Sequence, residues 1–142
     1  MMDSNGKTGR QEVIAAYHEF DIEDFKDSAG NLLTTPVAVE KFFPANTCVL
    51  RGFIVLDTAF NGTTPTIDIG DNSESTPDPD KYLDGGSLAT ANTAVALTNA
   101  TGYEIPAGCD LTMKLNAGDS TVGAGRICVE YVVRGRSAFS QG

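Results

Sequence analysis

The residues best suited to chemistry are the carboxylates in and around an acidic stretch, residues 71–86 (DNSESTPDPDKYLDGG). Six of them are close in sequence: Asp68, Asp71, Glu74, Asp78, Asp80 and Asp84. Calcium accepts several oxygen ligands from irregular loops, so a cation site is one interpretation. The stretch lacks the central glycine and the closing glutamate of an EF-hand loop. We therefore predict a long solvated connection with a short Lys81–Leu83 segment inside it, and no cofactor or metal.

Catalysis by a nucleophile requires a base beside it, usually a histidine, and the only histidine is His18. It lies between Tyr17 and Glu19 in a segment that resembles a half-exposed strand. The sequence contains no nucleophile elbow, phosphate-binding loop or dinucleotide-binding glycine motif. A pair of carboxylates could still hydrolyse a glycosidic bond, but the chain has no tryptophan to stack on a sugar. We predict no catalytic residues and no enzymatic activity.

Three cysteines are present: Cys48, Cys109 and Cys128. None forms a C-x-x-C pair, and their number is odd, which argues against a disulfide framework. No recognisable spacing joins them to His18 as a zinc site. We predict buried free thiols in a protein made in a reducing compartment.

Charge limits the possible partners. The chain has 10 basic and 19 acidic residues, a formal net charge of −9. Binding to nucleic acid depends largely on Lys and Arg that displace counterions from phosphates, so we predict no nucleic-acid partner. No run of residues approaches the roughly 20 apolar positions of a membrane span, so we also predict no membrane partner.

The hydrophobic pattern predicts short strands separated by turns. Residues 12–20 fit a strand or a helix, and we prefer a strand, followed by one helical turn from Asp21. Further strands are predicted at residues 37–42, 48–60, 64–70, 94–98, 102–105, 109–115 and 126–133. Asn61-Gly62 supplies a turn between two of them. The pattern is that of an all-β fold, a jelly-roll or β-sandwich of seven to nine short antiparallel strands.

Alternation along these strands predicts which side chains form the core. In residues 48–60, Leu50, Ile54, Leu56 and Phe60 share one face by period two, whereas Phe53 and Val55 lie on the other. The predicted core residues are Leu50, Ile54, Leu56, Ile67, Ile69, Leu111, Met113, Ile127, Val129 and Tyr131.

The two ends of the chain are predicted to lie outside the packed domain. Residues 1–10 are polar and form a flexible N-terminal arm, residues 11–136 form the domain, and residues 137–142 form a tail. The tail region has a dense basic cluster and one aromatic residue. We predict that Arg134, Arg136 and Phe139 dock on a partner, and that both ends become ordered only when docked.

Three segments resemble the small all-β structural proteins of tailed bacteriophages, namely the capsid decoration or cement proteins. They are DTAFNGTTPTIDIGD, interpreted as a hairpin, the DPDKYLDG loop and the final strand VEYVVRGR. The resemblance covers roughly residues 45–142. It implies a jelly-roll or sandwich that assembles as a homotrimer, or alternatively as a homodimer, on the outside of an icosahedral shell.

The resemblance further implies a virion protein, made in the cytoplasm of the host bacterium, that clamps neighbouring subunits of the major capsid protein. Its partners would be the major capsid protein and other copies of itself, and both ends of the chain are expected to be ordered only in the assembled shell. The alternative is a receptor-binding or carbohydrate-binding β module associated with the tail or head. The absence of tryptophan counts against that alternative.

Overall fold

The computed structural model describes residues 12–100, 102–116 and 119–134. The predicted arm at residues 1–10, the tail at residues 137–142, and two of the predicted docking residues, Arg136 and Phe139, lie outside these ranges. The described part of the chain forms nine strands: β1 (Val13–Asp21), β2 (Val37–Phe43), β3 (Thr47–Thr58), β4 (Thr66–Asp71), β5 (Asp78–Ser87), β6 (Val95–Ala96), β7 (Tyr103–Ile105), β8 (Cys109–Asn116) and β9 (Ala124–Val133).

The strands form two antiparallel sheets. The first sheet has the order β1-β9-β3, and β6 and β7 both pair with the far side of β3; the second has the order β2-β8-β4-β5. If β6 and β7 are counted as one interrupted strand, the strands pair in a nested order: β1 with β9, β2 with β8, β3 with β6 and β7, and β4 with β5. This is the pattern of a hairpin folded over into two sheets, a jelly roll. The predicted all-β class is confirmed.

The first segment is a strand, as preferred over the helical alternative. All nine residues of β1 pair with β9, from Val13 opposite Val132 to Asp21 opposite Ala124. A single 3₁₀ turn, Ile22–Phe25, follows and confirms the predicted helical turn. Asp21 caps it by accepting a hydrogen bond from Glu23 N at 2.9 Å, and Asp24 accepts one from Asp21 N at 2.9 Å. This capping box satisfies amide groups that would otherwise lack partners.

The core lies between the two sheets and contains nine of the ten predicted residues. Ile54, Leu56, Ile67, Ile69, Leu111, Met113, Ile127, Val129 and Tyr131 are all buried. Leu50 was predicted wrongly: it is only half-buried, and Val49 is buried instead. The reason is a β-bulge in β3, where Val49 pairs with Tyr131 but Arg51 pairs with the next residue of β9, Glu130. The extra residue, Leu50, reverses which side chains point inward.

The predicted hairpin at Asn61-Gly62 is also wrong. Strand β3 belongs to the first sheet and β4 to the second, so the connection crosses between sheets. Contacts with the β8–β9 connection hold it in place. The Asn61 side chain accepts hydrogen bonds from Thr121 N at 2.7 Å and Val122 N at 3.0 Å. Gly62 adopts a φ of 103°, so the glycine is required for the backbone, although no hairpin forms.

The acidic stretch is not the long loop that its composition predicts. Strand β5 occupies Asp78–Ser87, and Asp71 is the last residue of β4, which leaves only residues 72–77 as a connection. Lys81, Tyr82 and Leu83 are all buried. Register shifts along the β4–β5 pair allow the consecutive residues Lys81 and Tyr82 both to reach the interior.

The three cysteines are free thiols, but they are half-buried rather than buried. Burial, followed by the nearby charge of Asp71, raises the pKa of the Cys109 thiol to about 12. Burial, followed by Glu130, also raises the pKa of Cys128. Both groups therefore remain protonated at neutral pH, the unreactive form of a thiol.

We expect all three cysteines to be reduced in the purified protein. Alkylation under denaturing conditions without reductant, followed by intact-mass measurement, should add three labels. A matched sample that is first treated with reductant should have the same mass. A mass with one label and one disulfide would contradict the prediction.

Candidate docking surfaces and a buried ion pair

Of the three predicted docking residues, only Arg134 lies in the described part of the chain. It follows β9, where its backbone N–H donates to Asn46 O at 2.8 Å. Its guanidinium donates to Glu104 of the same chain at 2.8 Å, and both side chains are exposed. Arg134 therefore anchors the end of β9 and fixes the point from which residues 135–142 depart.

The outer face of the first sheet carries an exposed apolar row. The strand register places Cys128 of β9 between Tyr17 of β1 and Phe53 of β3. Tyr17 is 69% exposed and Phe53 is 38% exposed. Exposed aromatic side chains in one row are typical of protein-binding surfaces, where they contribute much of the binding energy.

Ion pairs flank this apolar row on both sides. On one side, Arg51 donates to Glu130 through two guanidinium nitrogens. On the other side, Arg126 pairs with Asp57 at 3.2 Å. Solvent-exposed pairs of this kind add little to stability, but they give a binding surface a definite charge pattern.

A second surface feature is an acidic depression of about 380 Å³ at the Asp21 end of β1. Its lining includes the carboxylates of Glu19, Asp21, Asp24 and Asp57. Asp21 and Asp24 are engaged in the capping box and Asp57 in its ion pair with Arg126. The Glu19 side chain makes no hydrogen bond or ion pair with another residue in the described ranges, and it is exposed. It lies opposite Arg126 of β9, whose guanidinium is paired with Asp57.

A buried ion pair joins β4 to β5. The Lys81 Nζ lies 3.2 Å from Asp71 Oδ2, and the two side chains are only 5% and 1% exposed. Asp71 also accepts hydrogen bonds from the Tyr82 hydroxyl and from Ser73, whose N–H lies at 3.0 Å. Burial alone would raise the pKa of the Asp71 carboxyl, but the hydrogen bonds from Ser73 and Tyr82, with the charge of Lys81, hold that pKa below its ordinary value.

Aromatic rings surround this pair. The Lys81 ammonium lies 4.9 Å from the centre of the Tyr103 ring in β7 of the first sheet, so a cation–π contact links the sheets. Tyr82 packs against Phe43 and Tyr103, with ring centres 6.0 and 5.7 Å apart. Burial and the neighbouring Asp71 raise the pKa of the Tyr82 hydroxyl, which therefore remains a hydrogen-bond donor.

Sequence reasoning missed this pair because its members lie within a stretch rich in charge. The signal that could have identified it is Lys81-Tyr82-Leu83, where a lysine adjoins two large apolar groups in an otherwise acidic segment. A lysine in such a place requires a carboxylate if it is to be buried. Asp71, at the end of a strand predicted from the alternation of Ile67 and Ile69, is that carboxylate.

The described residues include His18, the candidate base, and the carboxylates and thiols considered as metal ligands. His18 is half-buried on β1 opposite Ile127, and its side chain makes no hydrogen bond with another described residue. Across the ranges that the structure covers, no three His, Cys, Asp or Glu side chains are grouped so that they could hold a metal ion. Within those same ranges, no helix has the length and apolar character needed to cross a membrane.

Comparison with known proteins finds similarity in solved structures. No protein-family model and no curated protein sequence matches the chain. A chain in the cyanophage Pam1 capsid asymmetric unit matches with a TM-score of 0.62 and 21% identity, over 94% of this chain and 93% of that one. A chain in the acidic stable capsid structure of Helicobacter pylori bacteriophage KHP30 matches with a TM-score of 0.53 and 15% identity, over 85% and 87%. At these identities, the matches establish a shared fold.

Proposed function

We propose that this protein is a structural component of a bacteriophage virion that decorates the outside of the capsid shell and clamps neighbouring subunits of the major capsid protein. The observation that carries the proposal is the fold similarity, over nearly the whole chain, to chains from capsid structures of two different phages. The resemblance of residues 45–142 to capsid decoration proteins points the same way. The protein is proposed to act as a homo-oligomer, with a trimer favoured over a dimer.

The outer face of the first sheet suits this role. It presents Tyr17 and Phe53 in one exposed row, with the ion pairs of Arg51 and Arg126 on either side. An apolar centre with a charged rim is the usual anatomy of a protein–protein interface. A shell repeats the same partner surface many times, so an oligomer that docks several such faces at once binds tightly even when each contact is weak.

The interior suits a role without catalysis. In the part of the chain described here, the buried charged pair of Lys81 and Asp71 joins β4 to β5. His18 is not assembled with a nucleophile in the described ranges. A cement protein requires a stable domain with an adhesive surface, and these features supply both.

The number of copies per particle tests the proposal. Quantitative gel analysis of purified virions should find hundreds of copies, as expected for a protein that covers a shell. A dozen copies or fewer would contradict a shell role and would favour the tail-associated or head-associated receptor-binding module.

Rebinding then tests the face. Purified protein added to shells that lack it should bind to saturation, whereas Tyr17→Ser combined with Phe53→Ser should bind at least about tenfold more weakly. The matched control is Val122→Ser, which removes another exposed apolar side chain, 48% exposed, from the β8–β9 connection. Equal binding by all three proteins would exclude this face as the docking surface.

A further inference from the structure

Strand β1 is the one long sheet edge without protection among the described strands. Of the other edges, β2 is interrupted by a register shift at Lys41, which has a φ of 56°, and β5 contains Pro79. Strands β6 and β7 have only two and three residues. By contrast, β1 has nine residues, pairs with β9 without a bulge and contains no proline. Its far side therefore offers a row of backbone N–H and C=O groups to another strand.

The side chains of β1 define what that strand must carry. On the outer face, the Glu19 side chain has no ion-pair partner among the described residues, and Arg126 opposite it on β9 is already paired with Asp57. A positive charge on the occupant would therefore complement Glu19 beside the acidic depression. On the inner face, Ala16 is half-buried against the core, in the edge strand of the first sheet. An apolar side chain next to Ala16 would extend the core beyond that edge. The added strand therefore needs a basic residue and an apolar residue three positions apart, on opposite faces.

The segment that follows β9, residues 135–142 (GRSAFSQG), has this pattern. In an antiparallel pair, residue numbers increase along one strand in the direction in which they decrease along the other. A register with Arg136 opposite Glu19 therefore also places Phe139 opposite Ala16. Opposite residues in a strand pair point to the same face. Arg136 would therefore lie on the outer face with Glu19, and Phe139 on the inner face with Ala16.

The segment cannot reach this position on its own copy. Strand β9 ends beside the beginning of β1, where Val132 pairs with Val13, and Arg134 is held there by Asn46 and Glu104. Glu19 lies six residues further along β1, about 20 Å away. Only Gly135 separates Arg134 from Arg136, and one extended residue spans at most about 3.6 Å. The strand on β1 must therefore come from a second copy.

We propose that residues 135–142 of one copy add a strand to the free edge of β1 in a second copy, with Arg136 opposite Glu19 and Phe139 opposite Ala16. The contact joins two different surfaces, the tail of one copy and the edge of the next. Such a head-to-tail contact produces a ring when the rotation between copies closes, as in the trimer favoured above. The contact forms between copies in solution and, unlike the ordering of the tail predicted from the sequence, does not depend on a shell.

Cross-linking tests the register. Ala16→Cys combined with Phe139→Cys places two thiols opposite each other, within about the reach of a disulfide. Mild oxidation should produce covalent dimers and larger species that disappear on reduction. The control is Ala15→Cys with Phe139→Cys, because Ala15 is the same residue type one position away and points to the other face. Oxidised parent protein gives the background from the native cysteines.

Cross-links between copies that are confined to the Ala16 pair support the proposal. Equal cross-linking in both pairs, a disulfide within single chains, or no cross-linking in either pair overturns it. None of these outcomes depends on capsid binding, so the proposed decoration role is tested separately by the copy number.

A charge exchange tests the same contact without new cysteines. Sedimentation velocity should show that Glu19→Arg alone and Arg136→Glu alone each weaken self-association, on the order of tenfold. The double variant should recover most of the loss, because it restores an opposite-charge pair. Failure of the double variant to recover, in a protein with the parental melting temperature, overturns the proposed register.

Discussion

Asp71→Asn should destabilise the protein by about 3–5 kcal/mol, because it leaves the buried Lys81 ammonium with only Glu74 as a charged partner, a carboxylate that is 3.8 Å away and largely exposed. The substitution preserves the shape of the side chain, so lost packing contributes little. The Lys81 and Asp71 side chains are 5% and 1% exposed, which means that water cannot replace the lost charge. Urea unfolding at pH 7, with linear extrapolation to water, gives the free energy of unfolding for comparison with the parent.

The control for this prediction is a second ion pair that is open to solvent. Asp57→Asn breaks the pair with Arg126, whose side chain is 47% exposed, and should change stability by less than about 1 kcal/mol. Asp71→Asn combined with Lys81→Met should be more stable than Asp71→Asn alone, since it also removes the buried charge that has lost its buried partner. Equal losses for Asp71→Asn and Asp57→Asn would show that burial does not determine the cost.

Acid should weaken the parent through the same carboxyl. The pKa of Asp71 is lower in the folded protein than its ordinary value, so its contribution to stability is complete above that ordinary value and is lost as the pH falls through the folded one. Free aspartate begins to protonate at about pH 4. Below that pH, urea unfolding should show that the parent loses the stability contributed by the Asp71 charge, which the Asp71→Asn variant lacks at every pH. The difference between the two proteins should narrow with acid.

Ile54→Ala should cost about 2–5 kcal/mol, the range observed when a large core side chain is truncated. Ile54 is fully buried in the central part of β3, so the substitution leaves a cavity between the sheets. The matched control is Val55→Ala, one residue further along the strand on the opposite, half-buried face. It should cost clearly less in the same urea experiment. If Ile54→Ala unfolds like the parent, or Val55→Ala costs as much, the inward face has been assigned wrongly.

Alternation of apolar residues was enough to predict the class of the fold and most of its core. It failed at Leu50 because period-two counting assumes an uninterrupted strand, whereas a bulge adds one residue. Such a bulge depends on how β3 pairs with β9, more than 70 positions later in the chain. The Asn61-Gly62 turn failed for a related reason: local turn chemistry does not determine whether the flanking strands pair with each other or with distant partners.

The buried ion pair could not be predicted from composition. Asp71 and Lys81 lie in a segment whose charge and prolines favour a solvated loop, and tertiary packing of Tyr82 and Tyr103 overrides that local preference. Among the docking features, Arg134 was singled out from sequence, but its partner Glu104 was not. The row formed by Tyr17, Cys128 and Phe53 exists only through the register of three strands that are distant in sequence.

The central place of β9 in the first sheet has a consequence for how the chain folds. Of the described strands, β9 is the last to be synthesised, yet it lies between β1 and β3, and Val13 must find Val132 across more than 110 residues. Until the ribosome has released β9, β1 has no neighbour and the first sheet cannot form. The first sheet is therefore expected to form late, and its formation to be slow, on the scale of milliseconds to seconds typical of proteins dominated by distant strand pairs. Until β9 pairs with β1 and β3, the unpaired edges of these strands remain exposed, and the risk of aggregation is greatest.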